Sequence, residues 1–188
     1  MTEATVRVGV AVTFLRMDAP PADAAPPLPD DAQVVRVARP TTGFYRYLYD
    51  TVGASYLWWL RRTVPEADLA SLLSAPEISI HVLYRGGEPA GFYELDRRNW
   101  PVVNLAYFGL MPHAVGRGIG RAFLRHAVDA AWGMGARAMT VNTCTADHPR
   151  ALPNYRAAGF RPVREVREVW DVPRRLGLTV PAHLSRVG

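Results

Sequence analysis

Lysine is absent from this 188-residue chain; all 22 of its basic residues are arginine. A nucleotide-triphosphate loop needs G-x-x-x-x-G-K-[ST], whose lysine puts charge on the β- and γ-phosphates, so that site is excluded. Cysteine is nearly absent too. The single Cys144 forbids an internal disulfide and suits a reducing, cytoplasmic setting. No run of about 18 apolar residues exists, which excludes a transmembrane helix and leaves no membrane partner expected. Glu3 and Arg7 interrupt the N-terminus, so a secretory leader is not expected either. Histidines 81, 113, 126, 148 and 183 lack ligand spacing, and no metal site is expected. The net charge is +5, yet acid and base alternate, as in Arg164-Glu165-Val166-Arg167-Glu168. Without a basic block, nucleic acid is not an expected partner.

What is present fits a globular domain. Hydrophobic residues make up 49% and charged residues 21%, enough to bury one substantial core at this length. β-branched runs read as strands over Val6–Met17, Val34–Ala38, Ile78–Tyr84, Pro89–Asp96, Val102–Leu110, Ala138–Thr143 and Phe160–Trp170. Residues 20–31 are too rich in proline for regular structure and read as an extended loop. Helical spacing marks Phe44–Arg62, capped by Thr41 or Thr42 and interrupted near Gly53, then Glu66–Leu73, 118–134 and Pro149–Ala157. The order is β-β-α-α-α-β-β-β-α-β-α-β, an α/β or α+β fold. Residues 1–40 read as strands and loop belonging to the same domain, 41–175 as its core and 176–188 as a tail. The strand Val6–Met17 is a candidate edge for a homodimer.

The most informative run is Val115-Gly116-Arg117-Gly118-Ile119-Gly120-Arg121, which leads directly into the helix at 118–134. Glycine admits backbone conformations closed to other residues and lets a ligand approach the main chain. A helix start adds unpaired N–H groups and the positive end of its dipole, which suits a phosphate or diphosphate. A dinucleotide fingerprint fits poorly: Arg121 stands where its third glycine belongs, and Ala138, Met139 and Thr140, about 20 residues on, are not acidic. A turn that merely packs a helix close to a strand remains the structural alternative.

Residues 115–120 resemble the acyl-CoA loop of the GNAT N-acetyltransferase superfamily, [QR]-x-x-G-x-[GA]. About 30 residues later, His148-Pro149-Arg150-Ala151-Leu152-Pro153-Asn154-Tyr155-Arg156-Ala157-Ala158-Gly159-Phe160 resembles that family's second signature, N-x-x-A-x-x-x-Y-x-x-x-G-F. Two motifs in order, separated by one helix and one strand, carry the resemblance over residues 77–170. It implies a mixed, mainly antiparallel sheet whose strands splay apart beside the glycine helix to admit acetyl-CoA.

The resemblance also implies roles. The amides of Gly116, Arg117, Gly118, Ile119 and Gly120 would hold the diphosphate, with Arg117 and Arg121 as charge neighbours; Val115 stands where the family has Gln or Arg, so one side-chain contact is missing. Phe108, Gly109 and Leu110 would pair with the pantetheine arm. Tyr155 would protonate the leaving thiolate, and His148 replaces the asparagine that bonds the pantetheine. The family's glutamate positions fall on Asn104 and Thr143, neither of which takes a proton at neutral pH. Glu94 is then the nearest acidic candidate for a base, acting through water; its alternative role is a solvated carboxylate or a salt bridge to Arg97 or Arg98. Cys144 reads as a small buried residue rather than a nucleophile. A largely aromatic cluster of Tyr45, Tyr49, Asp50, Tyr56, Trp58, Trp59 and Arg61 is either a core face or an acceptor wall, with Tyr49, Trp58, Trp59 and Asn104 as substrate-binding candidates. The expected activity is transfer of acetyl from acetyl-CoA to a primary amine of a small molecule or peptide. A non-catalytic CoA-binding regulatory module is the alternative.

Overall fold

The computed structural model describes residues 3–184, so the last four residues of the expected tail lie outside the described residues. Seven strands form one sheet in the order β2-β3-β4-β5-β6-β1-β7. They are β1 (Thr5–Met17), β2 (Ala32–Val37), β3 (Ile78–Arg85), β4 (Glu88–Asp96), β5 (Val102–Leu110), β6 (Ala138–Cys144) and β7 (Arg161–Pro173). Every neighbouring pair is antiparallel except β5 and β6, which run parallel. The fold is thus α+β with a mixed, mainly antiparallel sheet, and the element order matches that read from the sequence.

Among the described residues five α-helices cover the sheet: α1 (Thr42–Gly53), α2 (Leu60–Thr63), α3 (Glu66–Ser74), α4 (Gly120–Gly133) and α5 (Ala151–Ala157). The Thr41 hydroxyl accepts the Phe44 N–H and starts α1. Tyr45, Leu48, Tyr49 and Val52 then recur at helical spacing and bury one face against Ile80, Val82 and Phe92. On the opposite face α4 buries Phe123, Leu124, Ala127, Val128 and Ala131 against β3 to β6. With helices on both sides, Ile78–Leu83 of β3 is buried at every residue instead of alternating. Pro153 falls in the first turn of α5, where its missing N–H costs nothing.

One expectation is corrected. The strand at 5–17 is not a sheet edge: over Val12–Met17 it pairs with β6 on one side and with β7 on the other. The edges are β2 and β7; β7 is mostly exposed and carries alternating Arg and Glu, as edge strands that resist aggregation tend to, while β2 is short and half exposed. A third apolar cluster, Val8, Val10, Leu57 and Val172, closes the β1 end and is covered by Leu178, Val180 and Leu184.

Beneath α4 lies a buried histidine. His81 is 8% exposed, its ring stacks on Tyr93 at 4.6 Å, and its Nε2 has no hydrogen-bond partner among the described residues. The Tyr93 hydroxyl in turn meets His126 Nδ1 at 3.0 Å. Burial pushes the His81 imidazole down to about 4, with His126 and Arg36 acting in the same direction. The folded state therefore binds this proton more weakly than the unfolded chain, whose histidine titrates near 6.5. Its contribution is intact above about pH 6.5 and is lost as pH falls toward 4, by up to about 3 kcal/mol. Urea unfolding at pH 7, 5 and 4 should show the wild type losing more stability than His81→Phe; equal losses would contradict this.

Candidate active site

The site begins where two strands part. Val102–Leu105 of β5 pair with Ala138–Val141 of β6, and the ladder ends there. Beyond that point β5 keeps β4 on one side, while β6 continues beside β1. Phe108, Gly109 and Leu110 consequently have no strand partner on the β6 side. A cavity of about 800 Å3 fills the opening and is lined by Ala106 to Leu110 of β5, Asn142 and Cys144 of β6, the glycine turn and the segment 147–155. Gly109 serves a second need, because a Cβ there would overlap Val52 of α1.

The glycine turn opens into this cavity. Gly116 and Gly118 have φ of 80° and 81°, a left-handed conformation that costs other residues about 1–2 kcal/mol. No atom stands within 4 Å of where a Cβ would be at either position. The turn is thus not glycine-rich for the sake of tight packing. Behind it, α4 starts without a side-chain cap among the described residues, leaving first-turn amides free. Val115, Gly116, Gly118, Gly120 and Arg121 line the cavity. The other two members of the run do not: Ile119 is buried in the core and Arg117 Nε turns back to the His113 carbonyl at 2.9 Å.

Tyr155 and His148 line the same cavity. The Tyr155 ring meets Phe108 and Phe160 edge-on at 6.4 and 6.0 Å. Burial raises its phenol well above the usual value, and the Asp147 carboxylate adds to the effect. His148 Nδ1 accepts the Arg150 N–H at 3.1 Å, and its ring stands 6.2 Å from Tyr56.

The far wall is aromatic. Tyr49, Trp58 and Tyr107 form a triangle with centroid separations of 5.0 to 5.2 Å, and Tyr56, Trp59 and Trp170 extend it. The bend after α1 delivers Trp58 and Trp59. Gly53 abuts Trp58 so closely that a Cβ would overlap it, and Leu57 takes a left-handed φ of 54° with its side chain buried. Such strain in a non-glycine residue persists only where surrounding packing holds it. Sequence reasoning missed Tyr107, Asp147 and Trp170. Tyr107 adjoined Phe108, which was already singled out. Asp147 adjoined a residue already singled out.

Two further candidates fall elsewhere. Asn104 lies on the zipped half of β5, where its Oδ1 accepts the Thr140 hydroxyl at 3.0 Å, and it does not line the cavity. Glu94 is fully buried with both carboxylate oxygens engaged: Oε2 accepts from Tyr45 at 2.5 Å and Oε1 from Arg61 Nη2 at 2.7 Å. Its ion-pair partner is Arg61, not Arg97 or Arg98, and it too lies off the cavity lining. Arg61 also places its guanidinium 5.2 Å from the Tyr107 ring centroid, so the Glu94 pair props the aromatic wall from behind. Thr143 is buried and donates to Asp147. Among the described residues no group of three or more His, Cys, Asp or Glu is arranged to hold a metal ion.

Residues 42–160 match the acetyltransferase (GNAT) family. Among solved structures, the chain is similar to a GCN5-related N-acetyltransferase from Kribbella flavida, at 17% identity and TM-score 0.60, covering 91% of this chain and 63% of that one. A GCN5-related N-acetyltransferase from Sphaerobacter thermophilus aligns at 18% identity and TM-score 0.56, over 91% of this chain and 53% of its own. An IAA acetyltransferase from Bacillus cereus aligns at 23% identity and TM-score 0.52, over 71% and 79%. The chain thus spans under two thirds of the first two, and at these identities the likeness speaks for the fold alone. No curated protein is significantly similar in sequence.

Cys144 lines the cavity, yet burial pushes its thiol up to about 12 and Asp147 adds to the shift. Against an ordinary thiol this leaves about a thousandfold less thiolate at pH 8. Iodoacetamide should therefore label Cys144 at least a hundredfold more slowly than glutathione at that pH; labelling at the glutathione rate would contradict the shift.

Proposed function

Since the chain belongs to the acetyltransferase (GNAT) family, we propose that it transfers an acetyl group from acetyl-CoA to a primary amine of a small molecule or peptide, directly and without a covalent enzyme intermediate. One observation carries the reading: a single cavity contains the uncapped start of α4, two open positive-φ glycines, an unpaired strand edge and a buried tyrosine. That set fits a long ligand with a diphosphate at one end. Acetyl-CoA supplies an acyl group already activated as a thioester.

The residues divide the remaining work. The amides of Gly116 to Gly120 and the Arg121 guanidinium would hold the diphosphate, the helix dipole adding to their pull. Gly116 and Gly118 leave room for that approach, and main-chain donors compensate for Val115 in place of a polar side chain. The free edge of Phe108–Leu110 would pair with the pantetheine arm as an added strand does, leaving an N–H to polarise the acyl carbonyl. Tyr155 stays protonated at any assay pH and so serves as an acid for the departing sulfur. Glu94, with both oxygens engaged, acts by holding Arg61 and the aromatic wall, which leaves the amine proton to water in the cavity. A single, hard-to-ionise thiol and this donor suit a cytoplasmic setting; no helix among the described residues is long and apolar enough to cross a membrane.

Steady-state assays across a panel of primary amines test the proposal. Tyr155→Phe should lower kcat about a hundredfold with the KM for acetyl-CoA changed by less than about threefold. Wild-type kcat should show no alkaline fall up to about pH 10, since Tyr155 ionises above that range. Glu94→Gln should leave the shape of the pH–rate profile unchanged, and both substrates should show a sequential pattern. Tight CoA binding without turnover on any amine would instead favour a non-catalytic CoA-binding module.

A further inference from the structure

Charge is distributed unevenly around the cavity. Two arginines line it, Arg121 at the start of α4 and Arg150 before α5, but among the described residues only one carboxylate does. That carboxylate, Asp147, is held firmly. Its Oδ2 accepts the Thr143 hydroxyl at 2.7 Å and the Cys144 N–H at 2.9 Å, and its own N–H closes a turn onto the Cys144 carbonyl at 3.0 Å. Oδ1 has only a long 3.4 Å contact, from Trp58 Nε1. A carboxylate oxygen accepts two good hydrogen bonds, so Oδ1 keeps unused capacity beside the aromatic triangle. Tyr155, Tyr56 and Asp147 line the same cavity, and the Asp147 charge raises both phenols further.

We propose that Asp147 anchors the acceptor's ammonium group, which passes one proton to cavity water before the free amine attacks the thioester, and that the acceptor is a primary amine on an aromatic or apolar body with one positive charge and no carboxylate. This rests on the N-acetyltransferase reading and names its substrate class. The rings of Trp58, Tyr107 and Tyr49 offer faces to the organic body and, through their quadrupoles, to the cation. A polyamine or aminoglycoside brings several ammonium groups, for which the wall holds no further carboxylates among the described residues. An amino acid brings a carboxylate that Asp147 repels, while Arg121 is taken up by the diphosphate and Arg150 is exposed to solvent. Asp147 determines specificity by touching the substrate, and Thr143 positions it.

The test compares 2-phenylethylamine, phenylalanine, spermidine and kanamycin as acceptors, in the wild type and in Asp147→Asn. The wild type should favour 2-phenylethylamine in kcat/KM over each of the others by at least tenfold. D147N should raise its KM at least tenfold, narrow the preference over phenylalanine and leave calorimetric CoA binding within twofold. Binding of 2-phenylethylamine to the CoA complex, read by tryptophan fluorescence, should weaken in parallel, and Asp147→Glu should recover part of it. Preference for spermidine or kanamycin, or an unchanged KM in D147N, overturns the assignment while leaving acetyl transfer intact. If no amine is acetylated yet 2-phenylethylamine binds in an Asp147-dependent way, acetyl transfer fails and the anchor stands. Should D147N lose CoA binding, the wild-type substrate ranking decides.

Discussion

Everything in the site follows from four rungs of parallel pairing that stop. A parallel ladder continued through Leu110 would satisfy the outer edge of β5 and close the sheet. Because it ends at Leu105 and Val141, Phe108 to Leu110 keep unsatisfied main-chain groups facing a space instead of a neighbour. The sheet survives because each diverging strand has a partner on its other side: β4 for β5, and β1 for β6. Inserting β1 between β6 and β7 thus supports the opening as well as the sheet. Into it come the start of α4 from one side and the turn at 144–147 from the other.

The two ends of the opening are built differently. At the α4 end, donors come from main chain, and the side chains that would crowd them are missing or turned away: Gly116 and Gly118 have none, Ile119 goes to the core and Arg117 folds back. At the other end, side chains do the lining, and a second layer fixes them. Glu94 holds Tyr45 and Arg61, Arg61 stacks on Tyr107, and Gly53 admits Trp58. Buried ion pairs contribute little net stability but penalise misplacement, which suits this one to fixing a wall.

The element order and the glycine turn that lines the cavity were legible because both are written in short segments. Alternation, helical spacing and a glycine-rich turn need only neighbouring residues, and the motif around Tyr155 spans one helix. Sheet order is a long-range property, so nothing within 5–17 revealed that the strand would sit between β6 and β7. Counting from motifs placed a base position at Asn104, but the ladder is still zipped there, and the exposed part of β5 begins two to three residues later. Glu94 showed its acidity but not its partner, since Arg61 lies 33 positions away. Asp147 was hidden in a turn whose direction depends on Thr143 and Cys144 behind it.

A crystal structure with acetyl-CoA tests the central claim most directly. Electron density should put diphosphate oxygens about 3 Å from the amides between Gly116 and Arg121, and the thioester between strands β5 and β6 within reach of the Tyr155 hydroxyl. Density for the coenzyme elsewhere on the molecule, or with its sulfur remote from Tyr155, would contradict it.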